Sequence, residues 1–172
     1  MSLCTGMSET RTLITTSYKS SWVLNSKVMF LGQWCCKLEE QDIWGKMDYV
    51  IAPPYGTDQV VKKNNYLKVK EIKFKLLPLV AKSLNIYHGT NHSIRCWDII
   101  LGFWLTRYIS IILNRYGTLK QVFKISNINK VLTTTDFSYL IVDNSIDFVR
   151  KANDDYWNHV LYSKILITLQ MS

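Results

Sequence analysis

"KVMFLGQW", Lys27 to Trp34, decides the fold. It is a short β segment rich in apolar and aromatic side chains, and Gly32 ends it where a βα turn begins. Downstream, "CKLEEQDIWGKM" (Cys36 to Met47) has room for a short helix. "MDYVIAPPY" (Met47 to Tyr55) then reads as another strand, stopped by Pro53 and Pro54, which have no N–H for a ladder. Upstream, "RTLITTSY" (Arg11 to Tyr18) has the same strand character. Strand, helix, strand implies parallel strands, a right-handed crossover and functional groups gathered at the carboxyl ends of the strands.

From Thr57 the period changes. Ile72, Leu76, Leu77, Val80, Leu84 and Tyr87 recur at three- and four-residue steps, one buried helix stripe, with lysines in most of the gaps. Pro78 is expected to kink this helix or to mark a boundary. Gly89 is a natural stop, Thr90 or Asn91 can cap the next helix, and that second helix is expected from about His92 to Phe123. "KVLTTTDF" and "YLIVD" return to strand character, and "DDYWNHVLYSKILITL" closes with a helix carrying Asp154 and Asp155 in its first turn. No repeat or Gly/Ser linker interrupts the chain, so one α/β domain over residues 1–172 is expected.

A chain of 172 residues can bury a sizeable core, and 48% hydrophobic against 20% charged residues excludes intrinsic disorder. The cysteines, Cys4, Cys35, Cys36 and Cys96, form no C-x-x-C pair, so neither a zinc knuckle nor a disulfide framework is indicated. "MSLCTGMSETRTLITTS" has no basic-then-apolar signal pattern, which makes the cytoplasm the expected compartment. Lys62, Lys63, Lys68, Lys70, Lys73, Lys75 and Lys82 face only Glu71, a run suited to a solvated helix face, to phosphates or to an anionic membrane surface. Nucleic acid is not favoured, because basic and aromatic residues do not interleave as in an RNA-binding motif. "CWDIILGFWLTRYISIIL" is interrupted by Asp98 and Arg107, which shortens its uncharged run below a membrane span and leaves a buried helix or one lying on a membrane surface.

Phosphate-loop, dinucleotide, nucleophile-elbow and H-E-x-x-H motifs are missing from the sequence. The chemistry concentrates in "HGTNHSIRCW", His88 to Trp97. Zinc needs a third ligand that no spacing nominates, so no metal is expected there. Asn91, His92 and Ser93 stand at a helix start whose N–H groups point outward, and Arg95 adds a bidentate donor, an arrangement suited to phosphate or a sugar carboxylate. His92 or His88 can take a proton from an attacking hydroxyl. The plainer alternative, that both histidines cap and pack, stays open. In "LGQWCC", Leu31 to Cys36, Trp34 either stacks on a sugar ring or closes the core over the turn, and Cys35 reads as a buried thiol rather than a nucleophile. Asp154 and Asp155 read as helix-start chemistry.

Taken together and in order, "LITTSYKSSW", "FLGQWC", "LNIYHGTNHSIRCWDIILGFWL" and "DDYWNHVLYSKIL" resemble the amino-terminal part of a family of transferases associated with bacterial surface-polysaccharide and O-antigen biosynthesis. The resemblance runs from about Leu13 to Leu166. His88, Gly89, His92, Ser93, Arg95, Trp97, Gly102 and Trp104 match the family pattern, whereas Gln33 stands where an acidic residue is common, Cys96 replaces an aromatic residue and Phe103 a proline. The resemblance implies an α/β fold, a Rossmann-like parallel sheet flanked by long helices, like the amino-terminal domain of a two-domain glycosyltransferase. It further implies an acceptor-side domain or truncated form, with a nucleotide-sugar donor and a saccharide or lipid-linked acceptor as partners in the full-length enzyme; no cofactor is expected. His92 or His88 would be the base, Asn91, Ser93 and Arg95 the anion contacts, and Trp34 and Trp97 the pocket walls. Peripheral contact with an anionic inner membrane fits the same picture. The competing expectations are a non-catalytic module for polyanions or membrane surfaces, and an inactive gene fragment.

Overall fold

The structure is a computed structural model and describes residues 9–170; Cys4 and the rest of the amino-terminal segment, through Ser8, lie outside the described residues. The chain divides into two compact units, one taking in the chain up to Tyr55 and from Thr118 onward, the other Gly56–Gly117.

The first unit carries a four-stranded sheet. Its strands are β1 (Arg11–Ile14), β2 (Val28–Phe30), β3 (Tyr49–Ile51) and β4 (Ile128–Val131), in the order β3-β2-β1-β4, all parallel. Thr12 pairs with Val28, Leu13 with Met29 and Ile14 with Phe30. The segment around Phe30 thus becomes a central strand, and its unbroken apolar run is what a strand covered on both faces requires. Val28, Met29 and Phe30 are all buried, while Val50 and Asn129 show that the edge strands β3 and β4 meet solvent. Leu13, Ile14, Phe30, Leu31, Leu119 and Val122 lead the core, joined by Tyr162 and Leu166. The Rossmann-like α/β fold expected from the sequence is present.

Between β2 and β3 the expected helix is short: a 3-10 turn over Leu38–Glu40 runs into α1 (Gln41–Trp44). Two expectations need correction. "KVLTTTDF" leaves the sheet after Val131, and the Thr134 N–H donates to the Ser163 hydroxyl (3.1 Å) rather than to a ladder. "YLIVD" forms no strand but a 3-10 turn over Ser138–Leu140, because the Asp136 carboxylate accepts the Ser138 N–H (2.9 Å) and holds the chain in a turn. A helix not foreseen, α4 (Ser145–Lys151), comes next, capped by Asn144 through the N–H groups of Ile146 (3.0 Å) and Asp147 (2.9 Å). Its signal, an Asn before Ser-Ile-Asp, is legible in hindsight.

The second unit is built from two long helices. α2 (Gln59–His88) starts at Asp58, whose carboxylate accepts the N–H groups of Val60 and Val61, and runs through Pro78, which marks no boundary. It ends at Gly89, held at φ 62° and ψ 33°, the left-handed conformation a glycine adopts without strain. The next helix is α3 (Ile94–Ile125), and its turns from Thr118 onward belong to the sheet unit. Helices of 30 and 32 residues are roughly 45 and 48 Å long. They bury one another through Val69, Leu77 and Ala81 with Trp97, Leu105 and Ile109. Of the expected stripe, Leu77 is buried and Ile72 and Leu84 pack at its border, whereas Leu76 and Tyr87 are exposed. α3 is long and apolar enough to cross a membrane by length and composition, Asp98 and Arg107 notwithstanding.

The last helix, α5 (Asp155–Gln170), forms where expected. Asp154 caps it by accepting the Trp157 N–H (2.7 Å).

Candidate functional site

Two places concentrate chemistry, one in each unit. In the helical unit the turn from His88 to Trp97 is organised by Asn85, which sequence reasoning passed over. Its Oδ1 accepts from the Thr90 hydroxyl, the His92 N–H and the Trp97 indole N–H (each 3.0 Å), and its Nδ2 donates to the His92 carbonyl (2.9 Å). A short amide near the end of a helix, seven residues before a histidine, is the local signal that was available. Around this hub the imidazole of His88 stacks at 6.2 Å from Trp97, and that of His92 meets Trp97 edge-on at 5.7 Å.

His88, Asn91, His92, Ser93 and Arg95 are all exposed and Trp97 is buried. An open hollow of about 530 Å³ adjoins the turn, bordered by Pro78, Ala81, Lys82, Asn85, Asn91 and His92. The Ser93 hydroxyl oxygen accepts the Cys96 N–H (3.2 Å) and keeps its O–H as a donor, and the His92 N–H is spent on Asn85. The exposed Arg95 guanidinium is therefore the strong donor of this turn. The structure brings His88, His92 and Trp97 together, with Asn91 and His92 at the hollow. Trp34 belongs to the sheet unit.

In the sheet unit the carboxyl ends of the strands gather a denser polar group. Thr15, Thr16 and Ser17, directly after β1, are buried. Their backbone is fixed by two indoles: Trp34 Nε1 donates to the Thr15 carbonyl and Trp22 Nε1 to that of Thr16, both at 3.0 Å. The Trp34 ring lies so close over Gly32 that a Cβ there would collide with it, which explains the glycine in "LGQW" by close approach. Trp34 thus closes the turn while remaining 44% exposed. Cys35 beneath it is fully buried, and burial pushes its thiol far up, so it is an inert side chain rather than a nucleophile.

α5 contributes the rest. Asp155 is more than helix-start chemistry, since it pairs with Lys37, and that hydrogen bond holds the Lys37 ammonium above its ordinary range. Lys19 pairs with Glu40 (3.2 Å). Tyr18 lies 4.8 Å from the Tyr156 ring and 5.5 Å from the imidazole of His159. His159 is 5% exposed, and burial lowers its basicity, keeping it neutral. Its Nδ1 and the Oε2 of Glu40 are buried without hydrogen-bond partners. Among the described residues no group of three or more His, Cys, Asp or Glu side chains is arranged to hold a metal ion.

No curated protein and no solved structure matches this chain. A family model described as LIC12162 family transferase matches residues 11–171, which takes in β1 through α5 and both groups of side chains just described. The chain belongs to the LIC12162 family of transferases.

Proposed function

We propose that this transferase moves a sugar from a nucleotide-sugar donor to a saccharide or lipid-linked acceptor in cell-surface polysaccharide synthesis, and that this chain forms the acceptor-side part. Support comes from the transferase family, from the Rossmann-like sheet, and from the four segments that resemble surface-polysaccharide enzymes. The observation that carries the site assignment is the exposed turn after α2, where Asn85 fixes the backbone of His92 beside an open hollow. In this reading Arg95, with Asn91 and Ser93, receives the anionic group of the acceptor, and Trp97 backs the histidines. The acceptor hydroxyl oxygen forms the new bond to the anomeric carbon as the bond from that carbon to the donor phosphate breaks. The nucleotide leaves with the electron pair, and the hydroxyl proton passes to His92 or, failing that, His88. Trp34, in the sheet unit, offers an aromatic face to a sugar ring.

The test is transfer of labelled sugar from nucleotide-sugar donors, with the carboxyl-terminal half of a two-domain enzyme supplied in the same reaction. His92→Ala is expected to lower turnover by about 10²- to 10⁴-fold, the usual contribution of a general base. Arg95→Ala is expected to raise KM for an anionic acceptor. Unchanged kinetics in both variants remove the site assignment.

A second reading, docking on an anionic membrane surface, is favoured by the helical unit. Between Gly56 and Gly117 stand ten Lys and Arg against three Asp and Glu, a net +7 of the +8 on the whole chain. Phe74, Ile86, Tyr87, Ile99 and Phe103 are 73% to 83% exposed in the same unit. Flotation with phosphatidylglycerol vesicles is expected to carry the chain at low salt and release much of it at high salt, because surface charge attraction is screened. Equal flotation with neutral phosphatidylcholine vesicles would remove this reading.

A further inference from the structure

The strand order β3-β2-β1-β4 means that the chain moves away from β1 on one side and returns on the other. The loops after β1 and β4 therefore diverge, and in open parallel sheets such a divergence leaves a crevice at the carboxyl ends. Both loops meet α5 here: Tyr18 lies against His159 and Tyr156, and Thr134 donates to Ser163, whose hydroxyl donates to the His159 carbonyl (2.8 Å).

We infer that this edge of the sheet is a binding site for a neutral, hydroxyl-bearing ring of the pyranose class, with Tyr18 as the stacking face and Glu40 and His159 as the hydrogen-bond partners of ring hydroxyls. It rests on the sheet unit alone and goes beyond the turn assigned to Asn91–Arg95.

Three observations carry it. First, the Glu40 Oε2 and the His159 Nδ1 have no partner although both are buried, and native structures rarely leave such atoms unmatched without a reason. His159 is nineteen-twentieths buried, and its orphaned nitrogen is on the element that meets both diverging loops. Second, the two lysines beside Tyr18 and the first turn of α5 already have carboxylates, Lys19 with Glu40 and Lys37 with Asp155, while Lys164 further along α5 lies over the Phe137 ring. Burial keeps His159 uncharged. A phosphate finds no unmatched cation in those two pairs, whereas a hydroxyl both donates to a carboxylate or imidazole nitrogen and accepts from an ammonium. Third, Tyr139, Tyr156, Tyr18 and His159 form a continuous ladder of rings with centroids 4.9, 4.8 and 5.5 Å apart. Tyr139 is 40% exposed and Tyr18 half-buried, so the ladder runs from solvent toward the orphaned nitrogen, and the C–H face of a sugar ring stacks on such aromatic surfaces.

The test titrates methyl glycosides of glucose, galactose, mannose and N-acetylglucosamine into the full chain, monitored by tryptophan fluorescence and saturation-transfer NMR. Trp34, hydrogen-bonded to the loop after β1, is the built-in reporter. At least one glycoside is expected to saturate. Tyr18→Ala, Glu40→Gln and His159→Gln are each expected to weaken it by about tenfold or more, and Tyr18→Phe to retain it. Glu40→Gln changes one group at the edge without emptying the core and so carries the test if Tyr18→Ala does not fold. Failure of every glycoside to saturate overturns the inference, as does unweakened binding in Glu40→Gln. So does competition by inorganic phosphate, or tighter binding of a nucleotide sugar than of its methyl glycoside, since either places an anion here. Phe74→Ala, at an exposed residue outside both sites, is expected to leave glycoside binding unchanged. Loss of glycoside binding in His92→Ala or Arg95→Ala moves the sugar to the other turn and overturns this site while leaving the proposed reaction standing.

Discussion

Phe30→Ala is expected to destabilise the protein by about 3–5 kcal/mol, as deletion of a fully enclosed aromatic ring commonly does. Phe30 is 0% exposed at the end of the central strand β2, with the rings of Trp22 and Tyr49 at 5.7 and 5.6 Å. Removing it takes away burial and leaves a void between two other aromatic side chains that strands and hydrogen bonds hold in place. Trp22 is tied by its indole N–H to the Thr16 carbonyl, so it cannot swing in freely. Against a total stability typically of about 5–15 kcal/mol, the loss is a large fraction. Urea unfolding monitored by circular dichroism measures it. Phe74→Ala, the same change at a residue 82% exposed, is expected to stay within about 0.5 kcal/mol. Equal effects at the two positions would contradict the core described for the sheet unit.

The second large effect is expected at Asn85. Asn85→Ala removes four hydrogen bonds at once and leaves the indole N–H of Trp97, which is 6% exposed, without an acceptor. Each bond contributes about 1 kcal/mol net and an unmatched buried donor costs about 1–3 kcal/mol, so a loss of about 2–4 kcal/mol is expected. Asn85→Asp keeps an oxygen for the three donors but sets its second carboxylate oxygen against the His92 carbonyl in place of a donor, so only part of the stability is expected to return relative to Asn85→Ala. Amide hydrogen exchange at His92 separates the two variants, rising steeply in the alanine variant. Comparable exchange in Asn85→Ala and the unsubstituted chain would show that other groups fix the turn. The same measurement bears on the proposed reaction, because a His92 whose backbone is loose cannot hold its imidazole at one acceptor hydroxyl.

The sheet was legible because its central strand β2 is buried on both faces: an unbroken apolar run such as Val28–Leu31, closed by Gly32, has few other uses. The helical unit was legible in its elements but not in its surface. Leu76 and Tyr87 fit an apolar stripe at helical spacing, yet they are 37% and 83% exposed, since spacing gives a helix a face without saying how far a partner extends along it. "YLIVD" has strand composition and becomes a turn because a local carboxylate claimed its backbone. For the candidate sites, the histidines and Arg95 were found by residue type, Asn85 was missed because its role appears only when helix end and loop close together, and the place of His159 appears only once α5 packs against Tyr18.

By itself the sequence determined the local commitments of this protein: parallel-strand segments with glycine and proline stops, two long helices joined at Gly89, a capped final helix and an excess of positive charge in the middle third. These depend on side-chain volume, backbone freedom and spacing, which act over a few residues. The tertiary structure decided what lies far apart in the chain and close in space: the division into two units, the strand order that sets β4 beside β1, the meeting of Tyr18 with His159 and the pairing of Lys19 with Glu40. Burial and the hydrogen bonds left unmatched there are properties of the closed assembly. No stretch of sequence carries them until the strands between Arg11 and Val131 have paired and α5 has packed against the loop after β1.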